Sequence, residues 1–256
     1  MIILPGIKIE DLALLIDSTL IIADVHIGFE EALNKQGIFV PRIHFEEIVS
    51  RVKTILGRLN GQGISRIIIN GDLKHEFGTI SEQEWRNTLK FLDLLLLQCN
   101  EVILIKGNHD SILGPIAKKR NIRILEHFVL TYEFKRPANK SSNKHGKNRI
   151  LITHGDKIPD ENLLKDASTI IIGHEHPAIS LKLGARIEQY KCFLKGRYHR
   201  ANLIVQPSFN TIIEGTDILR DQILSPFLRQ NLDNFQVYII EDKVYDFGKL
   251  RGLRKD

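Results

Sequence analysis

Cysteine is scarce in this chain of 256 residues: Cys99 and Cys192 are the two present, and no spacing pairs them. That excludes a disulfide framework and a thiolate zinc site as expectations, and it fits a reducing cytoplasm. Long hydrophobic runs are also missing. The longest apolar neighbourhood, Leu12 to Ala23, is broken by Asp17, Ser18 and Thr19, so no membrane span is expected. The first residues, MIILPGIKIED, lack the basic start, apolar middle and small-residue cleavage site of a secretory signal. No strong excess of one charge sign is present either. The net charge of +5 is mildly basic, which is compatible with a nucleic-acid partner but does not require one.

What is present is 43% hydrophobic and 26% charged residues, an ordinary globular balance, with enough length to bury a substantial core. Five short β-branched runs stand out, each ended by Gly, Asp, Asn or His. They are 19-TLIIADVHIG-28, 66-RIIINGDLKH-75, 102-VILIKGNHD-110, 149-RILITHGD-156 and 169-TIIIGHEHP-177. Continuous runs of four or five apolar residues predict strands covered on both faces.

A helix is predicted over Pro41 to Asn60. There Phe45, Ile48, Val49, Val52, Ile55, Leu56 and Leu59 recur at steps of three and four, with Pro41 in the first turn. The capping-box pattern 81-SEQE-84 predicts a second helix reaching to about Cys99. Strand, helix, strand, helix, strand implies right-handed crossovers and parallel pairing. In such sheets ligands gather at the carboxyl ends of the strands. Every polar cluster above lies at such an end, so the clusters are expected to converge.

After Asn121, segments 121–134, 178–187, 202–209 and 235–248 read as strands with few long helices between them, which predicts a second, antiparallel or mixed sheet. No internal repeat is visible, and no linker divides the chain, so a single domain over 1–256 is expected, with 178–256 completing the second sheet and a lid. The acid-free stretch 135–148 reads as a mobile basic hairpin tip, and the polar 217–234 segment as a lid or an interface.

The strand ends supply Asp24 and His26, Asp72 and His75, Asn108 and His109, His154, and His174 and His176. Six of the ten histidines lie in these motifs. A histidine at one strand end is usually a hydrogen-bonded structural residue, but five ends supplying His, Asp and Asn together point to a shared task. Carboxylate, imidazole and amide oxygen suit hard-to-borderline cations such as Mn²⁺, Fe²⁺ or Zn²⁺. The donors outnumber what one four-coordinate ion takes and suffice for two, an arrangement suited to in-line phosphoryl displacement.

In order along the chain, Asp24-Val25-His26, Gly71-Asp72, Gly107-Asn108-His109-Asp110, His154-Gly155 and Gly173-His174-Glu175-His176 resemble the complete motif set of the calcineurin-like metallophosphoesterases. The resemblance implies an α/β fold, a four-layer αββα sandwich, with a di-metal site at the strand ends. By motif, Asp24, His26, Asp72 and His176 would hold one metal. Asp72, as bridge, would hold the other with Asn108, His154 and His174. His109 would act on the leaving oxygen rather than on a metal. Asp110 would orient its neighbour or cap a turn, and Glu175 would stand outside the ligand set or be exposed.

The family's protein phosphatases carry a phosphate-gripping Arg after the GD motif, and a GNHE; here the motifs are GDLKHE and GNHD, which disfavours that reading. His75, three residues after Asp72, instead resembles the superfamily's double-strand-break repair nucleases, where the matching histidine assists phosphodiester cleavage. Segments 23–37, 173–177 and 192–210 are similar to a narrower group of stand-alone phosphoesterases, found in archaea and, in bacteria, beside a DNA ligase and a helicase-related protein. That resemblance implies manganese dependence and DNA endonuclease activity, with DNA favoured over RNA and a helicase or ligase as a partner. Lys182, Arg186, Lys191, Lys195, Arg197 and Arg200 could meet phosphates, and Phe193, Tyr198 and Phe209 could stack bases or belong to the core. A small-molecule phosphodiesterase or nucleotidase, and a non-catalytic nucleic-acid-binding subunit, remain as alternatives.

Overall fold

A computed structural model describes residues 1–76, 80–134, 146–184 and 186–254. Among these, seven strands form a first sheet in chain order. They are β1 (Ile2–Leu4), β2 (Ile7–Glu10), β3 (Ala13–Ile16), β4 (Thr19–Ile22), β5 (Arg66–Asn70), β6 (Glu101–Ile105) and β7 (Arg123–Leu125). The first three pair antiparallel up to β4, and β4 through β7 run parallel. Ile67, Ile68 and Ile69 are all buried, because the sheet is covered on both faces, as their unbroken apolar run predicted.

The second sheet contains β8 (His127–Phe134), β9 (Gly146–Thr153), β10 (Thr169–Ile172), β11 (Pro177–Leu183), β12 (Arg186–Tyr198), β13 (Ala201–Val205), β14 (Thr216–Asp217), β15 (Gln236–Ile240) and β16 (Val244–Lys249). Its order is β14-β11-β12-β13-β10-β9-β8, with β15 on β12 and β16 on β15. Its centre, β9-β10-β13, is parallel; the rest is mostly antiparallel.

Side-chain alternation divides the core. Ile150, Ile152, Ile171, Phe193, Ile204 and Tyr238 join the cluster shared with the first sheet. Their neighbours Leu151, Ile170, Ile172, Leu194, Leu203 and Val237 face a separate cluster on the far side. Helices α1 (Phe29–Lys35), α2 (His44–Arg58), α3 (Glu82–Leu96) and α4 (Gly114–Lys119) belong to the crossovers of the first sheet. The outer cover of the second sheet is thinner: α5 (Glu161–Asp166), α6 (Leu250–Leu253) and the 217–235 segment, which inserts Ile218, Phe227, Leu228, Leu232 and Phe235. The architecture is thus helix, sheet, sheet and a mixed helical and irregular layer, the αββα sandwich.

Several boundaries differ from expectation. Strands β1 to β3 and helix α1 were not anticipated. Helix α2 begins at His44, so Pro41 lies outside it. Ser81 caps α3 as predicted, its hydroxyl accepting from Glu84 N at 3.0 Å, but the helix ends at Leu96 rather than near Cys99. Strand β13 stops at Val205 because the chain then crosses to the first sheet, where Gln206 Nε2 donates to Ile21 O and Phe209 N to Ala23 O. The basic stretch over 135–148 falls mostly outside the described residues; residues 146–148 lie in β9. No helix among the described residues is long and apolar enough to cross a membrane.

Candidate metal centre

The carboxyl ends of β4, β5 and β6 meet those of β9, β10 and β13 at one edge of the sandwich. Asp24 N donates to Gly71 O, His26 N to Asp72 O and His75 N to Ile27 O, so the first two loops extend the β4–β5 pairing past the strands. His174 N donates to Asp24 Oδ2 at 3.0 Å, which ties the second sheet's loop to the first sheet's carboxylate.

Three clusters of closely spaced donor atoms result: Asp24 with His26 and His176, Asp72 with His154 and His174, and His26 with His75 and His109. Asn108 joins the second, its Oδ1 lying 2.9 Å from His154 Nε2. All nine residues singled out from the sequence therefore converge. Asp72 stands between the groups. Its Oδ1 accepts from His109 N at 2.9 Å, while its Oδ2 lies 3.8 Å from His26 Nε2 and 3.4 Å from His154 Nε2.

The backbone is bent to make this possible. Asp24, His26, Asp72, His174 and His176 all have positive φ, between 42° and 64°. Left-handed backbone is unfavourable for side chains of this kind and is stored where a surrounding structure over-determines it. Glycines supply the remaining room. A Cβ on Gly107 would collide with the Asp72 carboxylate and its backbone N, and one on Gly173 would come within 2.5 Å of Asp24 Oδ2.

The donor set fits divalent cations. Asp24 Oδ1 is buried with no hydrogen-bond partner among the described residues, although His154 Nδ1 and His176 Nε2 each face it at 3.5 Å. His26 Nε2 and His176 Nε2 point at each other across 3.4 Å. Buried acceptors and lone pairs converging in this way call for positive charge between them. The titration behaviour agrees. Burial works against a charged His154, yet its hydrogen bond to Asp72 and the nearby Asp24 carboxylate outweigh it and push the group up to about 9. Asp72 is held low despite its burial, chiefly through His154. His26 is driven well below the usual histidine range by burial and then by His176.

His75 and His109 lie beside this centre with rings stacked, centroids 5.3 Å apart and planes at 28°. His75 Nδ1 is 3.3 Å from His26 Nδ1, and burial followed by His109 lowers His75 to about 4. His109 Nδ1 meets the carbonyl of His75 at 2.5 Å; a carbonyl only accepts, so Nδ1 carries the hydrogen and Nε2 is the atom turned to Asp72 Oδ2, 3.9 Å away.

Asp110 does more than cap a turn. It accepts from Gly107 N at 3.0 Å and Leu73 N at 3.1 Å, joining two loops. Glu175 is fully buried rather than exposed, its carboxylate accepting from Leu224 N and Ser225 N, which pins the 217–234 segment against the loop of His174 and His176.

Sequence reasoning missed Lys74. It is fully buried, and its Nζ donates to the carbonyls of Glu76 and, at 2.6 Å, of His109. Its only signal was its place inside the motif. The basic and aromatic residues of 182–209 do not form one surface. Lys191 binds Ser208 Oγ and the carbonyls of Ile213 and Glu214, Lys195 binds Ile3 O, and Arg197 and Arg200 lie at the amino end of β13, away from the centre. Phe193 and Phe209 are completely buried and do not offer stacking faces, while Tyr198 is half-buried with its ring packed on Phe227, at the amino end of β13 and away from the centre.

The family model for calcineurin-like phosphoesterases matches residues 18–215. No curated protein matches the sequence. Among solved structures, the nuclease MPE of Pseudomonas putida is similar at 17% identity, covering 95% of this chain and 96% of that one, with a TM-score of 0.62. A protein of unknown function from Aquifex aeolicus is 20% identical over 62% of this chain and 78% of its own, with a TM-score of 0.37. A Streptococcus pneumoniae protein described as a predicted phosphoesterase is 14% identical over 90% and 97%, with a TM-score of 0.35.

Proposed function

The chain belongs to the calcineurin-like phosphoesterase family, and from that premise we propose that it is a di-metal phosphodiesterase acting as a nuclease, with DNA as the favoured substrate and Mn²⁺ as the favoured ion. Hydrolysis of phosphoesters follows from the family. The diester preference is carried by one observation, the extra imidazole of His75 stacked on His109 at the edge of the centre.

Asp24, His26, Asp72 and His176 would hold one ion, and Asp72, Asn108, His154 and His174 the other. Two such ions supply polarisation of the phosphoryl oxygens and an acidified water. The chain's own residues do the rest. Lys74 and the His75 carbonyl fix the His109 loop, and His109 Nε2 would carry a proton to the leaving oxygen. His75, uncharged at neutral pH, adds a hydrogen-bonding imidazole without adding charge to a crowded cationic site. A helicase or ligase partner is what the narrower resemblance of segments 23–37, 173–177 and 192–210 implies.

The test is a substrate panel with Mn²⁺-loaded protein: bis(p-nitrophenyl) phosphate, p-nitrophenyl phosphate, single-stranded DNA and supercoiled plasmid, with His75→Ala alongside. Diester and DNA cleavage are expected, with His75→Ala losing diesters selectively. Efficient monoester cleavage with inert diesters would overturn the reading.

A further inference from the structure

We infer that the loop between α1 and α2 is a base-stacking platform for single-stranded nucleic acid, with Phe39 as the stacking face; this rests on the nuclease reading. Phe39 is 90% exposed, and Ile38 and Ile43 beside it are 54% and 49% exposed. Other exposed apolar side chains, such as Leu97 and Ile187, are single along the chain and need no partner. Three within six residues do, and one is an aromatic ring with almost no protein covering it.

The loop is built to hold that ring out. Asn34 Nδ2 donates to Val40 O at 3.2 Å and Val40 N donates back to Asn34 Oδ1 at 3.3 Å, which clamps the residue after Phe39, while Ile38 N donates to Leu33 O at 3.0 Å and ties the residue before it. Below it, the buried pair of Glu30 and His44, 2.8 Å apart, joins α1 to α2. A surface aromatic on a mobile loop would lose ordering entropy on binding; one presented on a braced loop loses little.

The helix that leads into the platform borders the reaction centre. Helix α1 begins at Phe29, whose ring lies 4.5 Å from that of His75, and ends at Lys35, whose Nζ lies 3.4 Å from Glu76, the residue after His75. Both ends of the helix therefore touch the His75 loop, and Phe39 follows its last turn by four residues. Lys35 and Arg42, both exposed, flank Phe39 along the chain; Lys35 pairs with Glu31 and Glu76, which leaves Arg42 as the nearby cation for a phosphate. Phe193 and Phe209 are buried, Tyr198 packs on Phe227 and Phe29 is engaged edge-on with His75, whereas the ring of Phe39 is open to solvent.

The experiment compares wild type, Phe39→Ala and Phe39→Trp on a short single-stranded oligodeoxynucleotide and on bis(p-nitrophenyl) phosphate, with sedimentation of each protein. For Phe39→Ala, kcat/KM on the oligonucleotide should fall by roughly 5- to 100-fold, the range for one lost base stack. The small diester should be cleaved as before, and Phe39→Trp should retain oligonucleotide cleavage. If wild type and Phe39→Ala cleave the oligonucleotide equally, the platform is wrong while the nuclease reading stands. If wild type cleaves the small diester but neither binds nor cleaves the oligonucleotide, both fall. If Phe39→Ala instead turns a dimer into a monomer, the patch belongs to a second copy of the chain and the inference is overturned.

Discussion

Replacing Gly173 with alanine adds one methyl group and no charge, yet it should disable the site. Its backbone needs no positive φ, so the alanine is not strained in itself. The new Cβ would lie 2.5 Å from Asp24 Oδ2, 3.1 Å from Ala23 Cβ and 3.2 Å from Asn70 O, whereas Cβ contacts under 3.0 Å are essentially never seen. The carboxylate must then retreat by at least half an ångström. It is completely buried and holds His174 N at 3.0 Å, so retreat pulls on a candidate ligand of each group. Misplacement by about 1 Å costs on the order of 10²-fold in rate, so a loss of about 10- to 100-fold in kcat is expected. Overpacking should cost about 1–3 kcal/mol of stability. Bis(p-nitrophenyl) phosphate hydrolysis across a Mn²⁺ titration, with thermal melts, reads both. Gly57→Ala is the matched control: nothing lies within 4 Å of its Cβ, and on helix α2 it should add up to about 1 kcal/mol. Gly173→Ala working within twofold of wild type would refute the crowding argument.

Two further perturbations address the surroundings. Lys74→Met keeps the buried stem but removes the donor to the Glu76 and His109 carbonyls; a loss of about 1–3 kcal/mol is expected with bound metal unchanged by elemental analysis, and a variant as stable as wild type would contradict that role. Chelation should lower the melting temperature: an ion at 100 times its Kd contributes about 2.7 kcal/mol, and each kcal/mol shifts a chain of this size by roughly 2–4 °C. Identical melting with EDTA and with Mn²⁺ would argue against a cation site.

The strands that carry the site were legible because runs such as Ile67-Ile68-Ile69 have one physical meaning, burial on both faces, and the polar residue after each run marks its end. Strands β1 to β3 were harder: they are only three or four residues long, and the turns at Asp11 and Asp17 that separate β2, β3 and β4 each rest on a single Asp in left-handed backbone, a weak signal beside Gly or Asn-Gly. Helix α1, at seven residues, is too short to show a periodicity. The convergence of the nine site residues followed from topology. Lys74 and Glu175 did not, since both are charged types that are rarely buried, and only the packing around them tells that they are. The basic run over 182–200 misled in the opposite way: closeness along a 13-residue strand is not closeness in space.

The two groups that hold Asp24 and Asp72 each draw on both sheets. Asp24 and His26 follow a strand of the first sheet and His176 one of the second; Asp72 and Asn108 belong to the first, and His154 and His174 to the second. Any cation seated in either group is thus a rivet through the seam of the sandwich. The separation of the layers, set where Ile21, Ile68 and Ile103 of the first sheet share a core with Ile152, Ile171 and Ile204 of the second, would then act as the gauge of the ion that the edge accepts. Remote core substitutions that thicken or thin that seam would retune ion choice without touching a single ligand.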